Sequence, residues 1–339
     1  MIALWLSAFE NRPQLSGVWV ALLLVILAAG RTAGRPFIPY VNIIFPFYVW
    51  SMTFGLLLPN PLLAVGGMYV AYVTKVGVCM SVCFHRYASH QAFKCDTLMR
   101  SFICTLGCLA NQGGPIWWAS KHRCHHRYCD HGRDPHSTIL DGDTTAFAFF
   151  SSDAHKMVEE DFAPPHIDTL LIRIIDTFAI APVMCELLLA FYLGGPTALY
   201  IAAVSGQQSQ VISLWFNVVN HPEHDHDAAA ERATVVGGSG AVCKGADKYV
   251  LKNTPNVLFS MLNRHLWIGA LCGENCHGHH HHYAQLAQRP GIDLPYWLFV
   301  LPLRSLGLIS DAKLLSGAAA MDGLRRQQHQ ETTGPTKGG

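Results

Sequence analysis

The sequence predicts an all-α integral membrane protein: four transmembrane helices in two hairpins, beneath a helical cap that holds a histidine-rich dimetal site. Three observations carry this. Half of the 339 residues are hydrophobic and only 14% are charged, against about a quarter in an ordinary soluble domain, and mean hydropathy is +0.22. The long apolar runs come in pairs, each pair joined by a tight Pro- or Gly-containing turn. The 19 histidines nearly match the 24 Lys plus Arg, and they gather at the polar ends of those runs. A disordered chain is excluded because it would be poor in apolar residues. A net charge of +1 leaves no nucleic-acid footprint.

Val18 to Ala29, followed by Arg31 and Arg35, is the first apolar run. It falls short of the roughly 20 residues of a span, so a leader's apolar core, an interfacial helix and a short extra span all fit. It belongs to an N-terminal segment, residues 1–35, set apart from a main domain at 36–313. Phe37 to Leu58 is long enough to cross a bilayer, Pro59-Asn60-Pro61 turns the chain, and Leu62 to Phe84 crosses back. Lys75 lies inside the return run. A charge at mid-bilayer is costly, so this side chain is expected to snorkel or to lie near a membrane face. Leu98 to Trp118 holds Arg100, Asn111, Gln112 and Pro115 and reads as an amphipathic segment lying on the membrane.

Lys121 to Glu160 is polar. Ile174 to Leu193, the turn Gly194-Gly195-Pro196, and Thr197 to Val219 form the second hairpin. Gln207, Gln208 and Gln210 in its return run require protein or a cavity on one face. His221 to Pro255 is irregular, Asn256 to Cys272 reads as helical, and Tyr296 to Ile309 is a short apolar stretch on the surface or against the core. Residues 314–339 form a polar tail expected to be disordered. Both hairpins return their histidine-rich ends to one side. Arg31, Arg35, Lys121, Arg123, Arg127 and Arg133 lie there too, so the positive-inside rule places the histidines in the cytosol. The 11 cysteines contain no CxxC pair and sit mostly in or beside apolar runs, the pattern of reduced thiols rather than of a disulfide framework.

Three histidine clusters have ligand-like spacing: His85 with His90, His122 with His125 and His126, and His277 with His280 and His281. Residues at i, i+3 and i+4 share one helix face, so each HxxHH set forms a triad. His85 and His90 are about 140° apart on a regular helix and converge only if the helix ends or distorts between them. Asn217 and His221 are one turn apart at the end of the last span, where Pro222 stops the helix. Eight or nine imidazoles exceed one tetrahedral zinc and suit two metals; imidazole accepts iron, copper and zinc alike. A histidine-rich zinc-transporter loop is the competing reading. Such loops are irregular, whereas these clusters keep helical phase, and a divalent-metal transporter would need a polar path through the first hairpin, which supplies only Lys75.

With these boxes in place the chain resembles the membrane fatty acyl desaturases, closest to the acyl-CoA delta-9 (stearoyl-CoA) type. That family has HxxxxH, HxxHH and HxxHH boxes in this order, with two spans before the first and two between the second and third. The likeness is densest in Phe84 to His90 and Gly113 to Tyr128, continues through Asp134-Pro135-His136, and returns at Gly273-Glu274 to His281 and Gly307 to Asp311. It implies a di-iron centre held by His85, His90, His122, His125, His126, His221, His277, His280 and His281, with Asn217 acting through a water. No catalytic residue separate from the metal centre is implied. The iron pair would use O2 to remove two hydrogens from adjacent carbons of a saturated acyl-CoA or acyl-lipid. Electrons would come from a separate cytochrome b5 or ferredoxin with its reductase, because the chain has no HPGG haem motif. A di-iron fatty acyl hydroxylase would carry the same boxes. The location implied is a multi-pass membrane protein with cytosolic histidines, in the endoplasmic reticulum of a eukaryote.

Departures from the family pattern are Gly278 and His279 in the third box, alternative ligands at His279 and His282, a stretch between His221 and His277 longer by some two dozen residues, and Ser151 to His155 in place of an aromatic-rich pattern. In the family the acyl tail ends against side chains on the second span, about four turns before the first box. That places Tyr69 and Val73 at the tunnel end, with Trp117 and Trp118 lining the chain, packing the cap or anchoring at the interface.

Overall fold

Pro61 opens the first long helix of the computed structural model, which describes residues 51–128, 159–220 and 283–315, with shorter pieces at 10–14, 17–18, 20–21, 134–135, 271–274 and 280–281. Most of the run Val18 to Ala29, most of Phe37 to Leu58, the segment His221 to Pro255, the expected helix Asn256 to Cys272 apart from its last two residues, and the tail beyond 315 lie outside the described residues. A 3-10 turn, Phe54–Leu57, leads into α1 (Pro61–Thr74). Proline suits the first helical position because no N–H is needed there. α1 buries Ala64, Met68 and Tyr72 and exposes Leu62, Leu63 and Val70.

Without a break α1 widens into a π-helix, Lys75–Ser89, whose backbone bonds reach five residues rather than four. This wide helix closes at His90, and Gln91 follows with φ 49°, a left-handed conformation that costs a non-glycine residue about 1–2 kcal/mol. Two closing bonds offset it: Gln91 N–H donates to the Tyr87 carbonyl and Ala92 N–H to the Arg86 carbonyl, each at 2.9 Å. In chain order follow β1 (Lys94–Cys95), α2 (Thr97–Cys108), α3 (Pro115–Tyr128), α4 (Glu159–Phe162), α5 (Leu170–Thr177), α6 (Ile180–Asn220), a second π-helical turn (Tyr296–Val300), α7 (Leu301–Ser305) and β2 (Ile309–Ser310).

α6 is broken at Gly195, whose φ of 61° and ψ of −150° suit glycine alone, and Pro196 follows. Lys75 Nζ donates to Glu186 Oε2 at 2.8 Å and to the Ala202 carbonyl at 2.9 Å. These acceptors lie on opposite sides of Gly195. On a straight helix they would stand about 24 Å apart at 1.5 Å per residue, beyond the span of one ammonium. The chain therefore doubles back at Gly195, where the sequence places the second turn.

The same contact bears on Lys75, expected to snorkel or to lie near a membrane face. The side chain does not snorkel; it is buried and ion-paired with Glu186 of the other hairpin. The first arm of that hairpin is also shorter than expected. α5 stops at Phe178 (φ −102°, ψ 32°) and α6 restarts at Ile180, so Ile174 to Leu193 is not one helix. Gln208 is buried and donates to Ser51 Oγ at 2.5 Å, which answers the demand for a protein partner on that face.

Among the described residues Pro61–Ser89 and the run Ile180–Val211, which Gly195 divides into two arms, are apolar enough to cross a bilayer, and only 39% and 22% of their most apolar windows are covered by protein. So much uncovered apolar surface fits lipid rather than water. α2 lies against the wide helix. Asp96 caps it by accepting from Met99 N–H at 2.8 Å, worth about 1 kcal/mol. It buries Ile103, Cys104, Gly107 and Cys108 and exposes Leu98 and Phe102. The ladder of β1 with β2, Lys94 opposite Ser310 and Cys95 opposite Ile309, brings Ile309 and Ser310 back beside the first histidine box. The eight described cysteines are free thiols.

Candidate metal centre

The geometry of two helices decides which imidazoles meet. Bonds that reach five residues imply more than four residues per turn, so His85 and His90 are separated by less than about a quarter turn instead of 140°. Their ring centroids are 5.3 Å apart. On α3, His122 and His126 are one turn apart and their Nε2 atoms lie at 3.0 Å. His122 Nε2 is 3.0 Å from His90 Nε2. His280 Nε2, from the third box, is 2.7 Å from His85 Nε2 and 2.8 Å from His126 Nε2. One ligand atom from each of His85, His90, His122, His126 and His280 falls within 4.8 Å of all the others.

His125 does not join that group, because it sits 100° round α3 from His126. Its Nδ1 lies 3.0 Å from both Asp134 oxygens, and its ring is 5.3 Å from that of His281. His281 in turn stacks on His126 with centroids at 4.3 Å. The HxxHH triad thus divides between two adjoining groups. His221 and His277 lie outside the described residues, as do His279 and His282, and Asn217 falls on the last turn of α6.

Trp118 stacks on His122 at 5.0 Å and donates from Nε1 to Gln112 Oε1 at 3.0 Å. Trp117 takes Lys121 Nζ over its ring at 4.5 Å, and Lys121 is buried. Tyr69 and Val73 are half-buried against the core, beside the fully buried Met68 and Tyr72. α3 is anchored at its start by Asp176 of α5, whose Oδ1 accepts from the N–H groups of Ile116 (2.7 Å) and Trp117 (3.0 Å). These are orphan donors at the positive end of the helix.

Several supporting residues carry no spacing signal, because their partners are far away in sequence. His85 Nδ1 lies 2.8 Å from Glu274 Oε1, and Ser81 donates to the same oxygen. The buried Arg86 donates from Nη1 to Asp293 Oδ2 and the Ala287 carbonyl, both at 2.7 Å, and from Nη2 to Asp293 Oδ1 at 3.0 Å and the Gly273 carbonyl at 2.6 Å. Gly273 has φ 69°, and a Cβ there would sit 2.3 Å from Arg86 Nη2, so this crossing requires glycine. The brace ties the first box to the segment around the third.

Burial would push the Glu274 carboxyl up, but the charge and hydrogen bond of His85, then Arg289 and Arg86, hold it down at about 2. Burial holds His90, His126 and His280 well below the usual imidazole range, reinforced by neighbouring imidazoles and, for His90 and His280, by Arg289. Neutral imidazole is the ligand form. A ring that donates its Nδ1 proton to a carboxylate has its lone pair at Nε2. Imidazoles whose Nε2 atoms converge at 2.7–3.0 Å are a donor set that fits a transition metal, iron included.

No protein-family model matches the chain. Curated relatives do. The chain is 28% identical over 259 residues to the chloroplastic palmitoyl-monogalactosyldiacylglycerol delta-7 desaturase of Arabidopsis thaliana, covering 74% of this chain and 62% of that protein. It is 27% identical over 242 residues to an acyl-CoA 5-desaturase of Anemone leveillei, covering 69% and 66%. Over 109 residues it is 32% identical to the sn-1 stearoyl-lipid 9-desaturase of Anabaena variabilis, 32% of this chain and 40% of that one. The matched stretch is thus under two thirds of the length of each of these relatives.

Proposed function

From a chain that belongs to the membrane fatty acyl desaturase family, we propose an oxygen-dependent desaturase that introduces a cis double bond, at the delta-9 position, into a saturated acyl-CoA. The observation that carries this is the convergence of five imidazoles from three separate boxes within 4.8 Å. In this proposal His85, His90, His122, His126 and His280 hold one iron. His125 and His281, with His221 and His277, hold the second, and Asn217 acts through water. When bound, the iron pair supplies the oxidising power that, with O2 and two electrons, removes two hydrogens from adjacent methylenes. The electrons come from a separate cytochrome b5 or ferredoxin.

The chain's own residues do the rest. Trp118, stacked on His122 and 5.8 Å from the Phe84 ring, walls the cluster with apolar surface and excludes water from it. Gln112 holds that indole while its amide donates to the Ser209 carbonyl at 3.2 Å and Ser213 Oγ at 2.7 Å, so the wall is tied to α6. The four spans, the cytosolic placement of the boxes and the tunnel end at Tyr69 and Val73 belong to the same proposal. Acyl-lipid is the second reading of the carrier, favoured by the lipid desaturases among the relatives.

Fatty-acid methyl esters from a desaturase-deficient yeast expressing the chain test the proposal. A new monounsaturated acid supports it, and its double-bond position decides the regiochemistry. A hydroxylated acid, or no product from protein shown to be in the membrane, overturns it. Microsomes fed acyl-CoA or acyl-lipid separate the two carriers.

A further inference from the structure

We propose that Glu274, supported by Ser81, is a positioning residue that fixes the tautomer, orientation and donor strength of His85. This rests on the metal reading above. The geometry separates it from two alternatives. Glu274 is not itself placed as a ligand: its Oε1 meets Nδ1 of His85 at 2.8 Å, whereas the Nε2 edge of the same ring faces His280 at 2.7 Å. The carboxylate therefore acts from the far side of the imidazole. Nor is Glu274 the hydrogen-bonding partner of the buried arginine next to His85. Both Asp293 oxygens already take the Arg86 guanidinium, at 2.7 and 3.0 Å.

The surroundings supply what such a role needs. His85, Glu274 and Ser81 are all buried, so no water competes for Oε1. Ser81 stands four residues before His85 on the wide helix and donates to the same oxygen, which fixes the carboxylate where the ring needs it. An ionised carboxylate can only accept, so His85 must carry its proton at Nδ1 and present its lone pair at Nε2. A hydrogen bond to a carboxylate also makes the ligating nitrogen more basic. Asp134 stands in the same relation to His125, with both oxygens 3.0 Å from Nδ1, so each of the two adjoining groups contains one imidazole backed by a carboxylate.

The test uses the full chain, purified in detergent and loaded with ferrous iron without oxygen. Iron per chain, the rate of iron loss to a chelator, and the Mössbauer spectrum are read, none of which depends on turnover. Glu274→Gln keeps the size and removes the charge; we expect iron to be held about 10–100-fold more weakly, with an altered spectrum. Glu274→Asp restores the charge and should recover part of the loss. Ser81→Ala should lose iron faster than wild type, by a smaller factor, and it carries the test if Glu274→Gln does not accumulate. Glu274→Gln or, in its place, Ser81→Ala holding iron with wild-type affinity and spectrum would overturn the inference and make Glu274 ordinary packing. A wild-type chain that takes up no iron would instead sink the metal reading, and this inference with it.

Discussion

Removing one member of the Lys75–Glu186 pair should cost far more than removing both. The charges meet at 2.8 Å, with the lysine side chain 6% and the glutamate 25% exposed. At that distance attraction is about 6 kcal/mol at an effective dielectric of 20. Desolvation costs several kcal/mol per ion, so the intact pair contributes little net stability. Glu186→Ala leaves an ammonium with the Ala202 carbonyl as its other acceptor, and should cost about 3–5 kcal/mol. Lys75→Met should cost less, because the carboxylate left behind is the more exposed partner. The double variant Lys75→Met/Glu186→Leu should come within about 1–2 kcal/mol of wild type, since a packed apolar pair often equals a buried ion pair. The assay is thermal unfolding in one detergent at one scan rate. With a shift of about 2–4 °C per kcal/mol in domains of this order, Glu186→Ala should lower the midpoint by roughly 6–20 °C. If the single losses simply add in the double variant, the Nζ–Oε2 contact is not made, and the folding-back of α6 inferred from it fails.

Three further outcomes follow from the site and its surroundings. His281→Ala should abolish unsaturated product while His282→Ala is tolerated, since His282 lies 100° further round a helix; the reverse would mean that the four-histidine run has shifted the register of the box. Tyr69→Ala should extend the preferred acyl chain and Val73→Phe shorten it, each methylene being worth about 0.8 kcal/mol, or roughly fourfold in preference. An unchanged product profile in both would make these residues ordinary helix packing. Burial holds the His166 imidazole, 2.9 Å from the Tyr87 carbonyl, down at about 4. The unfolded chain takes that proton near pH 6.5, so the unfolded state binds more protons in between. Stability should be full above about 6.5 and fall as pH drops toward 4. His166→Gln should flatten this acid limb, and an unchanged limb would assign it to other groups.

Local features of the fold and site were legible in the residues. Pro59-Asn60-Pro61 and Gly194-Gly195-Pro196 mark turns because they restrict or free φ within a few residues, and HxxHH fixes helical neighbours. What could not be read depends on distant pairs or on backbone geometry without a residue signature. Lys75 looks like a snorkelling charge until Glu186, 111 residues on, is brought beside it. Glu274 reaches His85 across 189 residues, and Asp293 reaches Arg86 across 207. Nothing in Lys75 to Ser89 announces a wide turn, so the convergence of His85 and His90 could be stated only as a condition. The division of His122, His125 and His126 was hidden for a subtler reason: a shared face is broad enough to serve two neighbouring groups.

The wide helix also alters how this stretch can be compared and edited. In a regular helix a one-residue deletion is absorbed as a change of phase that a nearby loop can undo. Here the outcome depends on where the deletion falls: with four-residue bonds throughout, one before His85 would leave His85 and His90 about 140° apart, whereas one between them would leave them about 40° apart. A single gap placed between Lys75 and His90 in an alignment is therefore a statement about which imidazoles meet, not about loop length. Helical wheels drawn at 3.6 residues per turn will sort the tolerant and intolerant positions of this segment onto the wrong sides.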